Sequence, residues 1–351
     1  MKNLRINFKG EMKLVKKTFL LIVALFSSAV MGSQMVKASE LNFSVDTILP
    51  ENQREGSTYF DLIMEPNQEQ EIVTKIRNHT DKEIEVEATV EPATTNVNGV
   101  VDYSKTETNV DDTAPITIKE IAKADKETVK IKANQTYDYK VKITMPDIAF
   151  DGVIAGGLTF KEVNDDSEAN ESEEQGMAIE NKFAYSVALL VRQNETSLAS
   201  DLKLLDVRVD QLNARNVIYS DLQNPVAKYL NQLNVEAKVT KKDKTEVIYE
   251  TSNQSMQMAP NTTMAYPIRL EGEKLQPGKY TMHITATSGE DKWELEKDFE
   301  ITAEKARELN KKDVSIEEDN SMLYIYIGIA VLALLMIIII VLLAKKKKNN
   351  D

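Results

Sequence analysis

The chain has 351 residues, 42% of them hydrophobic and 28% charged, with no Cys, two His and a formal net charge of −13. Zero Cys excludes disulfide staples, thiol catalysis, Cys-ligated zinc and a lipidated N-terminal Cys, so stability has to come from packed cores. With the basic ends set aside, residues 39–322 carry about −22, a surface that repels phosphate backbones and argues against nucleic acid as a partner.

At the start of the chain, Lys2, Arg5, Lys9, Lys13, Lys16 and Lys17 precede an apolar run from Phe19 to Val30. Val36-Lys37-Ala38 then supplies small residues at the usual recognition positions. This is the pattern of a secretory signal peptide over 1–38, cleaved after Ala38, and a start at Met12 instead of Met1 would give it a more ordinary length.

From residue 39 onward, apolar residues recur with a period of two, the mark of half-buried strands. Ile84, Val86, Ala88 and Val90 alternate with charged or polar residues, and Tyr137, Tyr139, Val141 and Ile143 do the same. Phe183, Tyr185, Val187, Leu189 and Val191 follow, and then Leu233, Val235, Ala237 and Val239. The expected class is all-β, two tandem immunoglobulin-like antiparallel β-sandwiches at 39–195 and 196–303. Residues 162–175 read EVNDDSEANESEEQ, which fits either an interdomain linker or the tip of a hairpin between Val153–Phe160 and Phe183–Val191. The hairpin reading moves the boundary to the stretch from Asn194 to Ser200.

In LQPGKYTMHITA (275–286) a Pro-Gly turn leads into Tyr280, Met282, Ile284 and Ala286, as at a tyrosine corner, and Trp293, Leu295, Phe299 and Ile301 supply a closing strand. A short helical piece near Ala303–Leu309 opens a juxtamembrane stalk over 304–322. Residues 323–344 are uncharged and long enough for a helix to cross about 30 Å of hydrocarbon. Lys345 to Lys348 follow, so the positive-inside rule places the tail 345–351 in the cytoplasm and the ectodomain outside, in a single-pass membrane protein. The stretch before the helix, KKDVSIEEDNSM, holds no LPxTG-type sorting motif, which leaves the helix as the anchor.

Catalytic chemistry finds little to stand on. His79 lies in a turn-like Asn-His-Thr-Asp and His283 alternates outward on its strand, which leaves no HExxH, no zinc triad and no evident nucleophile–base pair. Asp111-Asp112 and Asp165-Asp166 lack calcium-loop spacing and read as solvated loops. The glycines of GVIAGG (152–157) do not match G-x-G-x-x-G. N-x-[ST] triplets at Asn78, Asn134 and Asn261 are what an Asn- and Thr-rich chain produces by chance. No catalytic, cofactor or metal residue is expected.

Several stretches resemble one family. FSVDTILPENQ (43–53), YFDLIMEPNQEQEIVTKIRN (59–78), NVNGVVDY (96–103) and MPDIAFDGVIAGGL (145–158) resemble the peptidoglycan-binding domain of the WxL-interacting proteins of low-GC Gram-positive bacteria, over about 43–162. NKFAYSVALLV (181–191), LQNPVAKYLNQLNVEAKV (222–239), MAPNTTMAYPI (258–268) and GEKLQPGKYTMHITA (272–286) resemble the family's host-binding domain, over about 175–312. The resemblance implies a non-enzymatic, membrane-anchored surface protein that binds WxL-domain proteins and peptidoglycan at the cell wall. It also associates the second domain with host extracellular-matrix proteins. It carries no residue-level binding motif. A membrane-anchored chaperone or scaffold for secreted surface proteins is the alternative, and a cell-wall glycoside hydrolase a weaker one.

Overall fold

The computed structural model describes residues 41–104, 110–163, 183–316, 326–337 and 339. Its first strands are β1 (Phe43–Ile48), β2 (Phe60–Ile63), β3 (Glu69–Asn78), β4 (Ile84–Pro92), β5 (Thr94–Thr95) and β6 (Val101–Asp102). A one-turn helix α1 (Ile118–Ile121) leads to β7 (Ala122–Ala124), β8 (Thr128–Ile131), β9 (Thr136–Thr144), β10 (Ile154–Glu162) and β11 (Ala184–Arg192). These form sheets in the order β1-β3-β9-β7 and β2-β11-β10-β4-β8, with β5-β6 as a separate small hairpin.

Period-two patterning sets the faces. Ile84, Val86 and Ala88 on β4 are buried, as are Tyr139, Val141 and Ile143 on β9, while Lys140 and Lys142 between them are exposed. Tyr139 meets Phe160 edge-on, with ring centroids 5.3 Å apart, and so joins the two sheets across the core. Strands β10 and β11 pair antiparallel from Ile154↔Val191 to Lys161↔Ala184, and the acidic run from 164 to 175 lies outside the described residues. On its other side β11 runs parallel to β2, Leu189 beside Phe60.

The second half holds β12 (Lys203–Leu212), β13 (Arg215–Asn224), β14 (Leu230–Lys241), β15 (Val247–Met258), β16 (Thr262–Arg269), β17 (Gly278–Ser288) and β18 (Asp291–Ile301). Sheets β12-β13-β16 and β15-β14-β17-β18 enclose one core, to which Ile218, Leu222, Val235, Val239, Tyr266 and Ile284 contribute. Each large aliphatic buried there stabilises the fold by about 1.5–3 kcal/mol. Tyr280 is buried, its hydroxyl donates to Gln276 O at 2.8 Å, and its ring stacks on Phe299, the corner geometry expected from Pro-Gly-Lys-Tyr. Trp293 packs against the same core.

Helix α2 (Ala303–Lys312) starts at Thr302, whose side chain accepts from Lys305 N. It coincides with the helical piece expected near Ala303–Leu309 and lies against the sandwich. Ala306 and Leu309, three apart, are buried, Asn310 bonds both N–H and C=O of Leu275, and Asp313 accepts from Asn216 N. Beyond it, residues 326–337 are helical and every one is exposed. Among the described residues no helix is long and apolar enough to cross a membrane. The leader 1–38, the tail 345–351 and the rest of 323–344, apart from Ile339, lie outside the described residues.

Candidate functional site at the junction of the two sandwiches

Three loops of the first sandwich reach the second, and two of them depend on glycine. Asn96 Oδ1 accepts from Asn98 N and Val100 N, tightening the β5–β6 turn around Gly99 at φ +68. A Cβ on Gly99 would lie 2.5 Å from Met256 Cγ, so only glycine lets this turn close on β15, where Gly99 O accepts from Gln257 N at 2.8 Å. Gly152, at φ +91, packs where a Cβ would overlap Ala227 O, and the next residue, Val153, donates its N–H to that same oxygen at 2.8 Å.

Side chains complete the junction. Thr95 Oγ1 accepts from Ala259 N and lies 2.8 Å from Thr262 Oγ1. Asp111 accepts from Thr263 Oγ1 at 2.7 Å and from Gln223 Nε2 at 2.9 Å, and Asn261 Nδ2 donates to Thr113 O. Burial pushes the Asp111 carboxyl up, but hydrogen bonds from Thr263, Thr113 and Gln223 outweigh it and hold the group below the usual carboxylate range. The hydroxyls of Tyr103 and Tyr229 lie 3.2 Å apart, and burial keeps both phenols protonated above the ordinary tyrosine range.

Two clefts open at this seam, and Val153 and Ala227 line both. One, of 650 Å³, is lined by Asp111, Asp112 and Asp151 with the exposed apolar side chains of Val110, Ile148 and Leu205, and by no basic residue. The other, of 660 Å³, holds Arg54, Arg192 and Lys228 together with Asp61 and Glu195. Tyr59, Tyr103 and Tyr229 also line it. Asp61 is 2% exposed and takes two bonds from Arg192, at 2.8 and 3.0 Å, while Arg54 bridges Asp61 and Glu195.

The residues weighed for chemistry sit elsewhere or serve structure. His79 Nε2 lies 2.8 Å from Ser44 Oγ on an exposed edge, with no ion-pair partner among the described residues. His283 lies between Thr240 Oγ1 (3.2 Å) and Glu296 (3.4 Å), the order of a hydroxyl, base and orienting carboxylate, but on an open sheet face that lines neither cleft. Asn78 is buried, and its amide donates to Lys82 O, Ile131 O and Lys132 O, so its triplet is a structural turn. Asp111, read as solvated loop, is instead a pin of the junction. Asp165-Asp166 lies outside the described residues, and among the described residues no cluster could hold a metal ion. The glycines of GVIAGG serve packing: Gly157 lies where a Cβ would be 2.5 Å from Tyr103 Cβ.

Fold and site together define a two-sandwich protein with ligand-sized clefts at its waist. The model of the WxL Interacting Protein peptidoglycan binding domain matches residues 43–162, and that of the host binding domain matches residues 174–311. Between them they take up most of the chain, in that order, and the chain belongs to the WxL-interacting protein family. The second match includes β11, although that strand is hydrogen-bonded into the first sandwich.

No curated protein matches the sequence. Among solved structures, the E. coli chaperone DraB is 14% identical, with 74% of this chain and 98% of that one covered and a TM-score of 0.29. The Salmonella enterica SafA pilin in complex with the SafB chaperone gives 13%, 76%, 98% and 0.29. The PapD-like domain 7 of human CEP192 gives 11%, 47%, 94% and 0.28. At these scores the strand order of this chain carries the description of its fold.

Proposed function

We propose that this protein is a non-enzymatic, single-pass membrane protein that holds WxL-domain proteins and peptidoglycan at the cell wall and engages host extracellular-matrix proteins through its second domain. The observation that carries this reading is the pair of family matches, peptidoglycan binding then host binding, on a chain that is a cell-surface binding protein by family. The exposed apolar helix at 326–337 supports anchoring, because such a surface is stable only in lipid or against a partner. The uncharged sequence of 323–344, the Lys tail inside and the leader removed after Ala38 complete the proposed topology.

The sheet edges favour one place for a protein partner. Along β18 the exposed side chains are Asp291, Lys292, Glu294, Glu296, Asp298 and Glu300, β16 carries Pro267, and on β12 Lys297 Nζ donates to Leu205 O. Charge, proline and capped carbonyls all discourage strand addition. Among the described strands β15 pairs only with β14, and its exposed stretch from Ser252 to Ser255 carries no charge. An extended segment of a WxL-domain protein added there would continue the contact that Gln257 already makes with Gly99.

Binding of the full-length chain, purified in detergent, to a folded WxL-domain protein tests this function. Saturable binding that Ser252→Pro weakens is the expected result. No saturable binding would overturn it.

A further inference from the structure

The cleft that holds Arg54, Arg192 and Lys228 has more hydrogen-bond donors than its own acceptors use. Lys228 Nζ donates to Leu198 O and Ser200 Oγ, both neutral, and makes no ion pair among the described residues. Arg192 spends Nε and Nη2 on Asp61, and Arg54 spends Nε and Nη1 on Glu195 and Asp61, which leaves one terminal nitrogen of each guanidinium. Asn231 Oδ1 accepts from Gln257 Nε2, so its own amide N–H groups are left over. Arg54 and Asn231 are exposed, Arg192 and Lys228 are half-buried, and all four residues line the cleft. The cleft carries three cations against two carboxylates in an otherwise strongly acidic ectodomain.

Its walls add flat aromatic surface. Tyr59 is 38% exposed at the rim, and Tyr103 and Tyr229 present a shared hydroxyl pair inside. Rings with a polar edge suit a ligand with one apolar face and many oxygens. The volume of 660 Å³ lies within the range of small-ligand sites, about 300–1,000 Å³, and suits a small unit better than a folded protein.

We infer that this cleft is the wall-binding site and that it takes the acidic, N-acylated saccharide–peptide unit of peptidoglycan. Lys228 and Arg54 meet its carboxylate, Asn231 and Gln257 meet its amide groups, and the tyrosines pack against its sugar ring. This rests on the wall-binding reading above and adds the place and the chemistry of recognition. The acidic cleft across the seam, with three Asp and no base, repels the same ligand.

Calorimetric titration of the full-length chain in detergent with a soluble muropeptide, and separately with neutral chitotetraose, tests it. The muropeptide is expected to bind, chitotetraose to bind at least about tenfold more weakly, and Lys228→Gln and Arg54→Gln each to weaken the muropeptide by about tenfold. Glu300→Gln on β18, far from the cleft, is expected to bind as wild type does. Affinity is expected to fall with added salt. Equal affinity for the two sugars, or unchanged binding by both folded cleft variants, would overturn the assignment. Co-sedimentation with whole sacculi separates the levels. If the wild-type chain does not pellet with sacculi, the wall-binding reading fails; if wild type and variants pellet equally, only the location fails.

Discussion

The two clefts share a wall, Val153 against Ala227, and differ in almost everything else. In the acidic cleft the half-buried carboxylate of Asp111 is saturated by donors from Thr113, Gln223 and Thr263, and its charge is consumed in holding the sandwiches together. In the cation-bearing cleft Asp61 is likewise occupied, by Arg192 and Arg54 within the first sandwich, but the donors outnumber the acceptors and some remain for a ligand. The lesson is that exposure and shape alone do not separate a structural pocket from a binding one. The count of unspent hydrogen-bonding groups does.

The largest effect on this comparison is expected from Asp61→Ala. It leaves Arg192, whose side chain is only 15% exposed, without its carboxylate, and should cost about 3–5 kcal/mol in denaturant unfolding while emptying one cleft of its order. Next comes Gly152→Val, which forces a side chain into Ala227 at a positive φ. A loss of about 1–3 kcal/mol is expected, with the unfolding transition splitting as the sandwiches uncouple. A single unchanged transition would show that Gly152 does not hold the seam.

Acidification should act on the acidic cleft. The Asp111 carboxyl is depressed in the folded state, so its stabilisation is complete above the ordinary carboxylate value of about 3.9 and is lost as pH falls through the lower folded value. Asp111→Asn should remove that part of the acid sensitivity, measured as stability against pH below about 5. The smallest effect belongs to a site away from both clefts: Tyr280→Phe removes the bond to Gln276 O and should cost about 0.5–1.5 kcal/mol with muropeptide binding unchanged.

Much of the fold was legible in the sequence because its signals are local. Ile84-Glu85-Val86, Tyr137 to Ile143 and Leu233 to Val239 show their buried faces by alternation alone, and Pro-Gly-Lys-Tyr announces the corner at Tyr280. The junction was not legible, because its partners lie far apart in the chain. Asp111 meets Gln223 and Thr263, Gly99 meets Met256, and in the cleft wall of the first sandwich Asp61 meets Arg192. No periodicity encodes such pairs. One signal did exist: NVNGVVDY, MPDIAFDGVIAGGL, LQNPVAKYLNQ and MAPNTTMAYPI, stretches that carry the family resemblance, are the stretches that converge on the seam. Helix α2 lies between these cases. The sequence marks a helical piece there, and the structure adds that Ala306, Leu309 and Asn310 dock it on the sandwich.

The most direct test of the division between the two clefts is hydrogen exchange on the full-length chain in detergent, with and without soluble muropeptide. Slower exchange is expected at 54–61, 188–198 and 227–231, with 110–117 and 260–263 unchanged. Protection at 110–117 and 260–263, with 227–231 unaffected, would contradict the division and place the ligand in the acidic cleft.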